Sequence, residues 1–310
     1  MEYKNLGNSD LKVSAIGLGA WQAGAKGWGK ISDNDVKNAL LTSIELGINF
    51  IDTAEVYGDG HSEKLIGEVV KDFRDEIVIA TKVSGAHLRP DYLERALEGS
   101  LKRLNTNYVD LYQIHWPDIY TPLRDTVKTI EKLANNGKIR YIGLSNFSIC
   151  QIEEVRSYLS TMDIVSNQVR YNIVQREIED EMLPYLTKEN IGVIAYSPLA
   201  QGLLTSKYDH VNFDTSDVRK SNRLFSEDNI HSITPLLNVL REISYETGHS
   251  VVQIALNWLI AHEKVIPIPG AKNRDQATIN LQSAGWRLND AQMKRIEDSF
   301  QEIKSKVDTF

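Results

Sequence analysis

Four side chains that can donate, accept or stabilise a proton lie at or just after the ends of three apolar segments. Asp52 ends the first segment and Tyr57 lies five residues later, Lys82 ends the second, and His115 ends the third. If the segments are consecutive parallel strands, their carboxyl ends lie along one edge of a sheet, and the four side chains meet there. The spacing therefore predicts a proton-transfer centre.

These residue types suit the protonation of a carbonyl oxygen. A tyrosine with its ordinary pKa near 10 is a weak acid at neutral pH, but a neighbouring lysine ammonium stabilises the phenolate and lowers that pKa. We therefore expect Tyr57 to be a general acid and Lys82 to tune it. Asp52 would keep the lysine charged and in place, and His115 would orient the substrate oxygen. Such a set supplies no electrons, so a hydride donor, normally a reduced nicotinamide, has to come from outside.

Each residue also has a structural interpretation when it is considered alone. An aspartate after a strand is often a turn former, and a histidine there is often a structural hydrogen-bonding group. A lysine that ends an apolar strand is harder to explain in this way, because burying an ammonium without a partner is costly. Three successive strand ends with Asp, Lys and His are hard to attribute to packing alone.

Composition narrows the class of protein. The 310 residues are long enough for a large barrel in one unit, and the composition is typical of a globular protein. A net charge of −7 and a pI of about 5.6 argue against a nucleic-acid or membrane surface. Cys150 is the only cysteine, and no Cys/His set has zinc spacing, so neither a disulfide nor a metal site is expected. The polar N-terminus lacks a signal-like apolar segment, so we expect a cytoplasmic protein.

The order of elements predicts a (β/α)8 barrel over residues 1–310, with an N-terminal hairpin at 3–13 and a long irregular connection at 200–232 after strand seven. Eight units of a strand followed by a helix can be counted, and no linker divides the chain. The predicted strands are 13–19, 48–53, 77–83, 108–115, 139–144, 164–169, 191–196 and 265–268. The predicted helices are 32–47, 62–71, 90–104, 122–135, 148–159, 177–189, 234–247, 250–262, 274–284 and 290–303.

Beyond these four residues, the chain resembles the aldo-keto reductases over nearly its whole length, including the branch that contains the potassium-channel beta subunits. A characteristic match is Asp52-Thr53-Ala54-x-x-Tyr57-Gly58. The other matching segments are 17–21, 62–67, 80–82, 100–104, 110–115, 137–147, 196–204 and 267–271. The resemblance places that family's catalytic tetrad on Asp52, Tyr57, Lys82 and His115. It implies reduction of aldehydes or ketones by NADPH, which lies extended across the barrel mouth without a Rossmann fold.

The resemblance also implies where NADPH or NADP⁺ is held. Ser145, Asn146 and Gln168 should hold the nicotinamide carboxamide, and Tyr196 should stack on its ring. The pyrophosphate should lie along Ser197, Pro198, Leu199, Gly202 and Leu203. Lys272 should meet the adenosine 2′-phosphate, and Gln276 and Asn280 should face the adenine. The other residues expected to contact the coenzyme are Gly19, Ala20, Trp21, Asp52, Lys207, Ile268, Gly270 and Ala271. Arg219 and Arg223 resemble a basic clasp over the coenzyme, although two solvated loop arginines would look the same. Asn273 replaces the Ser or Thr of many relatives.

The substrate is expected to be a small carbonyl compound bound by Trp21, Tyr57, His115 and Trp116. Both tryptophans could instead serve packing, and the sequence does not choose among sugar-derived, aliphatic, aromatic and 2-oxo aldehydes. It does not predict the oligomeric state either.

Four other interpretations fit the sequence less well. Gly17-Leu18-Gly19 lacks the third glycine of a dinucleotide-binding loop, and the Gly24 to Lys30 match to a P-loop is followed by Ile31 instead of Ser or Thr. A Schiff-base aldolase would use Lys82 as its nucleophile, but would not need Tyr57. A cofactor-sensing subunit with residual activity is the non-enzymatic alternative.

Overall fold

The computed structural model describes residues 1–25, 31–205, 213 and 217–308. The strands are β1 (Tyr3–Asn5), β2 (Lys12–Ser14), β3 (Leu18–Gly19), β4 (Phe50–Asp52), β5 (Val78–Val83), β6 (Val109–Ile114), β7 (Ile139–Ser145), β8 (Ile164–Arg170), β9 (Gly192–Tyr196) and β10 (Val265–Pro267). The helices are α1 (Asp33–Glu45), α2 (His61–Val70), α3 (Pro90–Leu104), α4 (Leu123–Asn135), α5 (Ile149–Tyr158), α6 (Met182–Lys188), α7 (Glu227–Thr247), α8 (Val251–Ala261), α9 (Arg274–Leu281) and α10 (Asp290–Ile303).

The eight strands β3 to β10 form one parallel sheet in sequence order. The sheet closes on itself at its two ends: the Gly17 N–H donates to the Pro267 carbonyl over 2.9 Å, and the Gly19 N–H donates to Pro269 over 3.0 Å. These contacts, with helices between the strands, confirm the (β/α)8 barrel and the N-terminal hairpin of β1 and β2. Among the helices of the described ranges, none is long and apolar enough to cross a membrane.

The strands read as continuous apolar segments because both of their faces are covered. One face packs on the surrounding helices, and the other fills the barrel with side chains such as Phe50, Leu111 and Ile194. The hairpin closes the N-terminal end of the barrel with Leu6, which is fully buried in the interior cluster. The opposite end, where the strands finish, is left for the polar side chains.

The first predicted strand is wrong in its extent. Residues 13–19 are divided between the hairpin strand β2 and the barrel strand β3. The reason lies in the backbone pairing, because Ser14 lies opposite Tyr3 and the Ala15 N–H still donates to Glu2. From Gly17 onward the chain bonds to the last barrel strand instead.

Two predicted helices also have wrong starts. The helix expected at 177–189 is a short 3₁₀ turn at Glu177–Glu179 followed by α6, and this late start puts Pro184 in the first helical turn, where a missing N–H costs little. The helix expected from 234 begins at Glu227, because the Ser226 side chain caps it by accepting from the Asn229 N–H. The chain then continues through Pro235 inside the helix.

Several helix starts agree with the sequence. Capping boxes form at Ser148 with Gln151 and at Ser250 with Gln253, and Pro90 occupies the first turn of α3. In the connection after β9, the described residues form 3₁₀ turns at Ala200–Thr205, Val218–Ser221 and Arg223–Phe225, as expected of an irregular segment.

Gly67 allows α2 to approach the end of α3, and this contact yields a test of the packing. A Cβ at Gly67 would lie 2.7 Å from the Leu104 carbonyl group and from the Arg103 carbonyl oxygen. Alanine normally stabilises a helix interior relative to glycine. Here we expect Gly67→Ala to lower the free energy of unfolding by about 1–3 kcal/mol, because backbone atoms have to move. Urea denaturation measures this loss.

Gly99→Ala in α3 is the matched control. A Cβ there would be 3.0 Å from the tip of the Arg103 side chain, which can shift more easily than backbone. We expect its stability to stay within about 0.5 kcal/mol of the original protein. Equal losses in the two variants would contradict the close approach at Gly67.

Candidate active site

A buried ion pair between Lys82 and Asp52 forms the base of the site. Asp52 ends β4, and Lys82 lies on the neighbouring strand β5 with a side chain that is 0% exposed. The Lys82 Nζ donates to Asp52 Oδ1 over 2.5 Å and to the Thr53 carbonyl over 2.8 Å. Burial alone would lower the pKa of Lys82, but Asp52 and then Tyr57 raise it in net above 10.5. The lysine is therefore an ammonium at neutral pH.

Tyr57 lies in the loop after β4, and its hydroxyl reaches the same ammonium. The distance from Lys82 Nζ to the Tyr57 hydroxyl oxygen is 3.3 Å, and the Nζ lies 4.9 Å from the centre of the ring. Burial raises the pKa of Tyr57 above 10.0, and Lys82 acts in the opposite direction without overcoming burial. The lowered phenol pKa expected from the sequence is thus outweighed by burial, and Tyr57 is a neutral phenol that still holds its proton.

His115 follows β6 and lies beside Tyr57. Its backbone N–H donates to the Val83 carbonyl over 3.0 Å, and the two rings meet edge to face with centres 5.8 Å apart. Burial, helped by the charge of Lys82, lowers the pKa of His115 to about 3. The imidazole is therefore neutral at ordinary pH, with one nitrogen carrying a proton and the other free of it.

Two glutamine amides donate hydrogen bonds to the second carboxylate oxygen of Asp52. Gln168 from β8 donates its Nε2 to Asp52 Oδ2 over 2.8 Å, and Gln113 from β6 donates to the same oxygen over 3.0 Å. Gln168 was expected at the site, whereas Gln113 was missed. The signal was present in the sequence, because Gln113 lies two positions before His115, and alternate residues of a strand share a face.

The side chains at the carboxyl ends of β7 and β9 are joined by hydrogen bonds. Asn146 donates its Nδ2 to Ser145 Oγ over 3.0 Å, and the Tyr196 hydroxyl donates to Asn146 Oδ1 over 3.1 Å. Asn146 adopts a left-handed backbone with φ of 62°, a conformation that asparagine tolerates better than most residues. The expected Ser145, Asn146 and Tyr196 group is therefore assembled at the same rim as Tyr57 and His115.

A cavity of about 830 Å³ opens above these groups and brings most of the predicted residues together. The predicted residues that line it are Gly19, Trp21, Asp52, Tyr57, His115, Trp116, Ser145, Asn146, Gln168, Tyr196, Ser197, Pro198, Leu199, Gly202, Arg219, Ile268, Gly270, Lys272, Gln276 and Asn280. Predicted residues outside this lining are Ala20, Lys82, Leu203, Arg223 and Ala271. Lys207 and the loop residues 26–29 fall outside the described residues.

Further lining residues were not expected from the sequence. They are Gln22, Val56, Gln201, Thr205, Ser244, Ser250, Val251, Val252, Pro269 and Ile279. Gln22 is notable because its Oε1 is buried and has no hydrogen-bond partner among the residues that the structure describes. This oxygen lies only 1.8 Å from the position that a Cβ on Gly270 would take. Because residue 270 is a glycine, there is room for the Gln22 Oε1, and this oxygen can accept a hydrogen bond from a ligand hydroxyl.

Two cationic side chains, Lys272 and Arg219, also line the cavity. Lys272 precedes α9, and its pKa is lowered by burial and then by the nearby Arg219. Arg219 is held by Asp217, with contacts of 2.8 Å and 2.6 Å. Two cations near one carboxylate favour an anionic ligand. Arg223 has no part in this group, because it pairs with Asp308 and its side chain is 70% exposed.

The N-terminus of α9 lies next to Lys272. Asn273 caps the helix by accepting from the Gln276 N–H. The Gln276 side chain accepts from the Lys272 N–H over 2.9 Å, and Asn280 donates to the Gly270 carbonyl over 3.1 Å. These contacts fix the turn that presents Lys272.

Comparison with known proteins identifies the family of this chain. The sequence model of the aldo/keto reductase family matches residues 15–300. The chain belongs to this family.

Curated relatives within the aldo/keto reductase family share about a third of their residues with this chain. Aldo-keto reductase YhdN of Bacillus subtilis is 33% identical over 96% of this chain and 92% of its own length. A probable voltage-gated potassium channel subunit beta of Oryza sativa is also 33% identical, over 91% of each chain. Proteins similar to this chain thus include both a reductase and a probable channel subunit.

Two solved structures of aldo-keto reductases also resemble this one. The thermostable aldo-keto reductase Tm1743, solved with the inhibitor epalrestat, has a TM-score of 0.82 and 37% identity, covering 96% of this chain and 100% of its own. An aldo-keto reductase from Klebsiella pneumoniae, solved in complex with NADPH, has a TM-score of 0.79 and 28% identity over the full length of both chains.

The neutral imidazole of His115 gives a direct pH test. With a folded pKa of about 3, its ring signals in an NMR titration should stay constant between about pH 5 and pH 8, where an ordinary histidine would titrate. The His115→Gln variant identifies the signals that belong to this ring. A titration midpoint near the ordinary value of about 6.5 would contradict the buried, neutral state.

Proposed function

We propose that this protein reduces the carbonyl group of an aldehyde or ketone to an alcohol, with NADPH as the hydride donor and Tyr57 as the general acid. The observation that carries this proposal is the 3.3 Å contact between the Tyr57 hydroxyl and the ammonium of Lys82 at the base of the cavity. A neutral phenol beside a fixed cation is suited to give up its proton when a neighbouring oxygen becomes negative.

The cavity suits NADPH in its size, its free acceptor and its charge. Its volume of about 830 Å³ lies in the range of ligand sites. The buried Gln22 Oε1 can accept from a ligand hydroxyl, and Lys272 and Arg219 provide positive charge. Ser145, Asn146, Gln168 and Tyr196 would hold the nicotinamide. Gly19, Trp21, Ser197, Pro198, Leu199, Gly202, Arg219, Ile268, Gly270, Lys272, Gln276 and Asn280 would hold the remainder. When bound, NADPH supplies a hydride to the carbonyl carbon.

The residues of the chain donate the proton and stabilise the charge that it leaves behind. Tyr57 donates its hydroxyl proton to the carbonyl oxygen as negative charge develops there. Lys82 stabilises the phenolate that remains, and Asp52 holds Lys82 in position. His115, being neutral, donates a hydrogen bond to the same substrate oxygen without competing for the proton. The hydride and the proton together convert the carbonyl to the alcohol.

The buried pair argues against the Schiff-base alternative. A lysine attacks a carbonyl only as the free amine. The pKa of Lys82 is raised in net by Asp52, and its Nζ already donates to three oxygens. It is thus placed to hold charge near Tyr57 and is poorly placed to form a covalent bond.

The mouth of the cavity indicates where a small carbonyl substrate would bind. Trp21 and Trp116 flank Tyr57 and His115, with ring centres 6.3 Å and 6.5 Å from the neighbouring rings. Both tryptophans are partly exposed, at 39% and 52%, and line the cavity. We propose that they contact the substrate in addition to packing against the site.

Tyr57→Phe tests the general acid. This change removes the hydroxyl and keeps the ring, so kcat should fall by about 10²-fold or more, while NADPH affinity should barely change. Steady-state NADPH oxidation over a panel of aldehydes and ketones, with fluorescence titration of NADPH, measures both quantities.

Tyr112→Phe is the matched control for this change. Tyr112 is a fully buried phenol on β6, and its hydroxyl has no hydrogen-bond partner within the described ranges, so removing that hydroxyl should leave kcat unchanged. Near-normal turnover by Tyr57→Phe would show that another group is the acid.

Lys272→Ala tests the anion end of the cavity. A phosphate at Lys272 gains a charge-assisted hydrogen bond, so the variant should bind NADPH roughly tenfold more weakly and NADH almost as well as before. Fluorescence titration of both coenzymes measures the change. Arg223→Ala is the control, because this arginine lies outside the lining and pairs with Asp308. Equal losses for the two coenzymes would show that Lys272 does not contact the 2′-phosphate.

A further inference from the structure

Gln113 is a fully buried polar side chain for which the catalytic scheme above has no use. It lies on β6 opposite Lys82 of β5 and Gly143 of β7, one layer below the cavity, and does not line it. The site makes room for this side chain, because a Cβ on Gly143 would lie 2.9 Å from the Gln113 Cγ. A long amide in the barrel interior, with a glycine beside it, suggests a role other than filling space.

Its hydrogen bonds join two groups of the site. Gln113 donates its Nε2 to Asp52 Oδ2 over 3.0 Å, and its Oε1 accepts from Gln168 Nε2 over 3.2 Å. Asp52 Oδ2 also accepts from Gln168 Nε2, over 2.8 Å. Gln113 thus closes a triangle of hydrogen bonds with one carboxylate and a second amide.

The triangle fixes which end of the Gln168 amide faces the cavity. A carboxylate and an amide oxygen can only accept, so both neighbours require the NH₂ end of Gln168 to point into the barrel. Gln168 lines the cavity, and its Oε1 is therefore the end presented there. An acceptor at this place matches a ligand that carries a primary amide, whose NH₂ group donates.

We propose that Gln113 is a positioning residue that orients Gln168 as an acceptor toward the carboxamide of the nicotinamide and, through its own NH₂, holds the Asp52 carboxylate that anchors Lys82. This inference rests on the function proposed above. It assigns two separable roles to one side chain: an acceptor for Gln168 and a donor to Asp52.

The acceptor role is tested by binding alone. We compare the affinities of NADP⁺ and its 3-acetylpyridine analogue, in which a methyl ketone replaces the carboxamide and the NH₂ donor is lost. The original protein should prefer NADP⁺ by about tenfold, and Gln113→Leu should reduce this preference to about two- to threefold. Gln113→Glu should restore it, because a carboxyl oxygen accepts from Gln168 in either protonation state.

The donor role is tested by pH. In Gln113→Glu the new carboxyl can donate to Asp52 only while it is protonated, and two ionised carboxylates at this distance repel each other. Its kcat relative to the original protein should therefore fall by about tenfold or more between about pH 6 and pH 9. Gln113→Leu should show a ratio that does not change with pH. A purely structural role predicts parallel profiles for all three proteins.

Ser166→Ala is the matched control. Ser166 also lies beside Gly143, and its buried Oγ has no hydrogen-bond partner in the part of the chain that the structure describes. Neither the coenzyme preference nor the pH profile should therefore change. An unchanged preference in Gln113→Leu, or parallel pH profiles for Gln113→Glu and the original protein, overturns the inference. If Gln113→Leu does not fold, the pH profile of Gln113→Glu decides alone. Failure of the original protein to bind NADP⁺ or NADPH would instead refute the proposed function.

Discussion

The buried ion pair between Lys82 and Asp52 constrains the whole active site. Removing an ammonium and a carboxylate from water costs several kcal/mol for each ion, and their attraction offsets this only when the remaining hydrogen-bonding capacity is also used. Here Lys82 reaches Asp52, the Thr53 carbonyl and the Tyr57 hydroxyl. Asp52 receives the two glutamine amides on its other oxygen. The pair can therefore remain ionised in the barrel interior, and the field that acts on Tyr57 is fixed before any substrate arrives.

Holding that pair requires an accurate register between β4, β5 and β6. Side chains alternate along β5, so Lys82 faces the barrel interior while Thr81 faces the helices. Thr81 donates to Glu63 of α2 over 2.6 Å, and the same carboxylate accepts from Arg103 of α3 over 2.7 Å. A shift of β5 by one residue would exchange the two faces and place Lys82 against apolar side chains. The network outside the barrel thus fixes the strand that carries the catalytic charge.

Much of this arrangement could be predicted from the sequence, because strand order and strand ends are local features. Apolar segments, glycine stops and capping boxes give the repeating unit, and a barrel brings successive strand ends to one rim. The divided strand at 13–19 could not be predicted in this way, since it depends on which partner strand each half meets. The predicted starts of the helices that contain Pro184 and Pro235 were wrong for a related reason. The local sequence pattern does not show which turn of a helix a proline occupies.

Side-chain partnerships were harder to predict than positions. Strand alternation places Gln113 on the same face as His115, but only the structure shows that Asp52 and Gln168 hydrogen-bond to it from β4 and β8. Arg223 was expected from the sequence to bind the coenzyme, but its guanidinium forms an ion pair with Asp308, which is far away in the sequence. Both cases involve contacts between residues far apart in the chain, and the spacing of residues along the sequence does not predict such contacts.

The balance of burial and charge on Tyr57 explains how one phenol can be both stable and reactive. Sequence reasoning gave the correct sign for the effect of Lys82, but not the larger opposing effect of burial, which raises the pKa of the phenol. The two effects act at different moments. Burial keeps the proton on Tyr57 in the resting protein, so the site starts in the form that can donate. The stabilisation by Lys82 has its greatest value once the proton has begun to move and the phenolate oxygen carries charge 3.3 Å away. A charge that is already in place requires no rearrangement at that moment, and this is the advantage of keeping the lysine ionised inside the barrel.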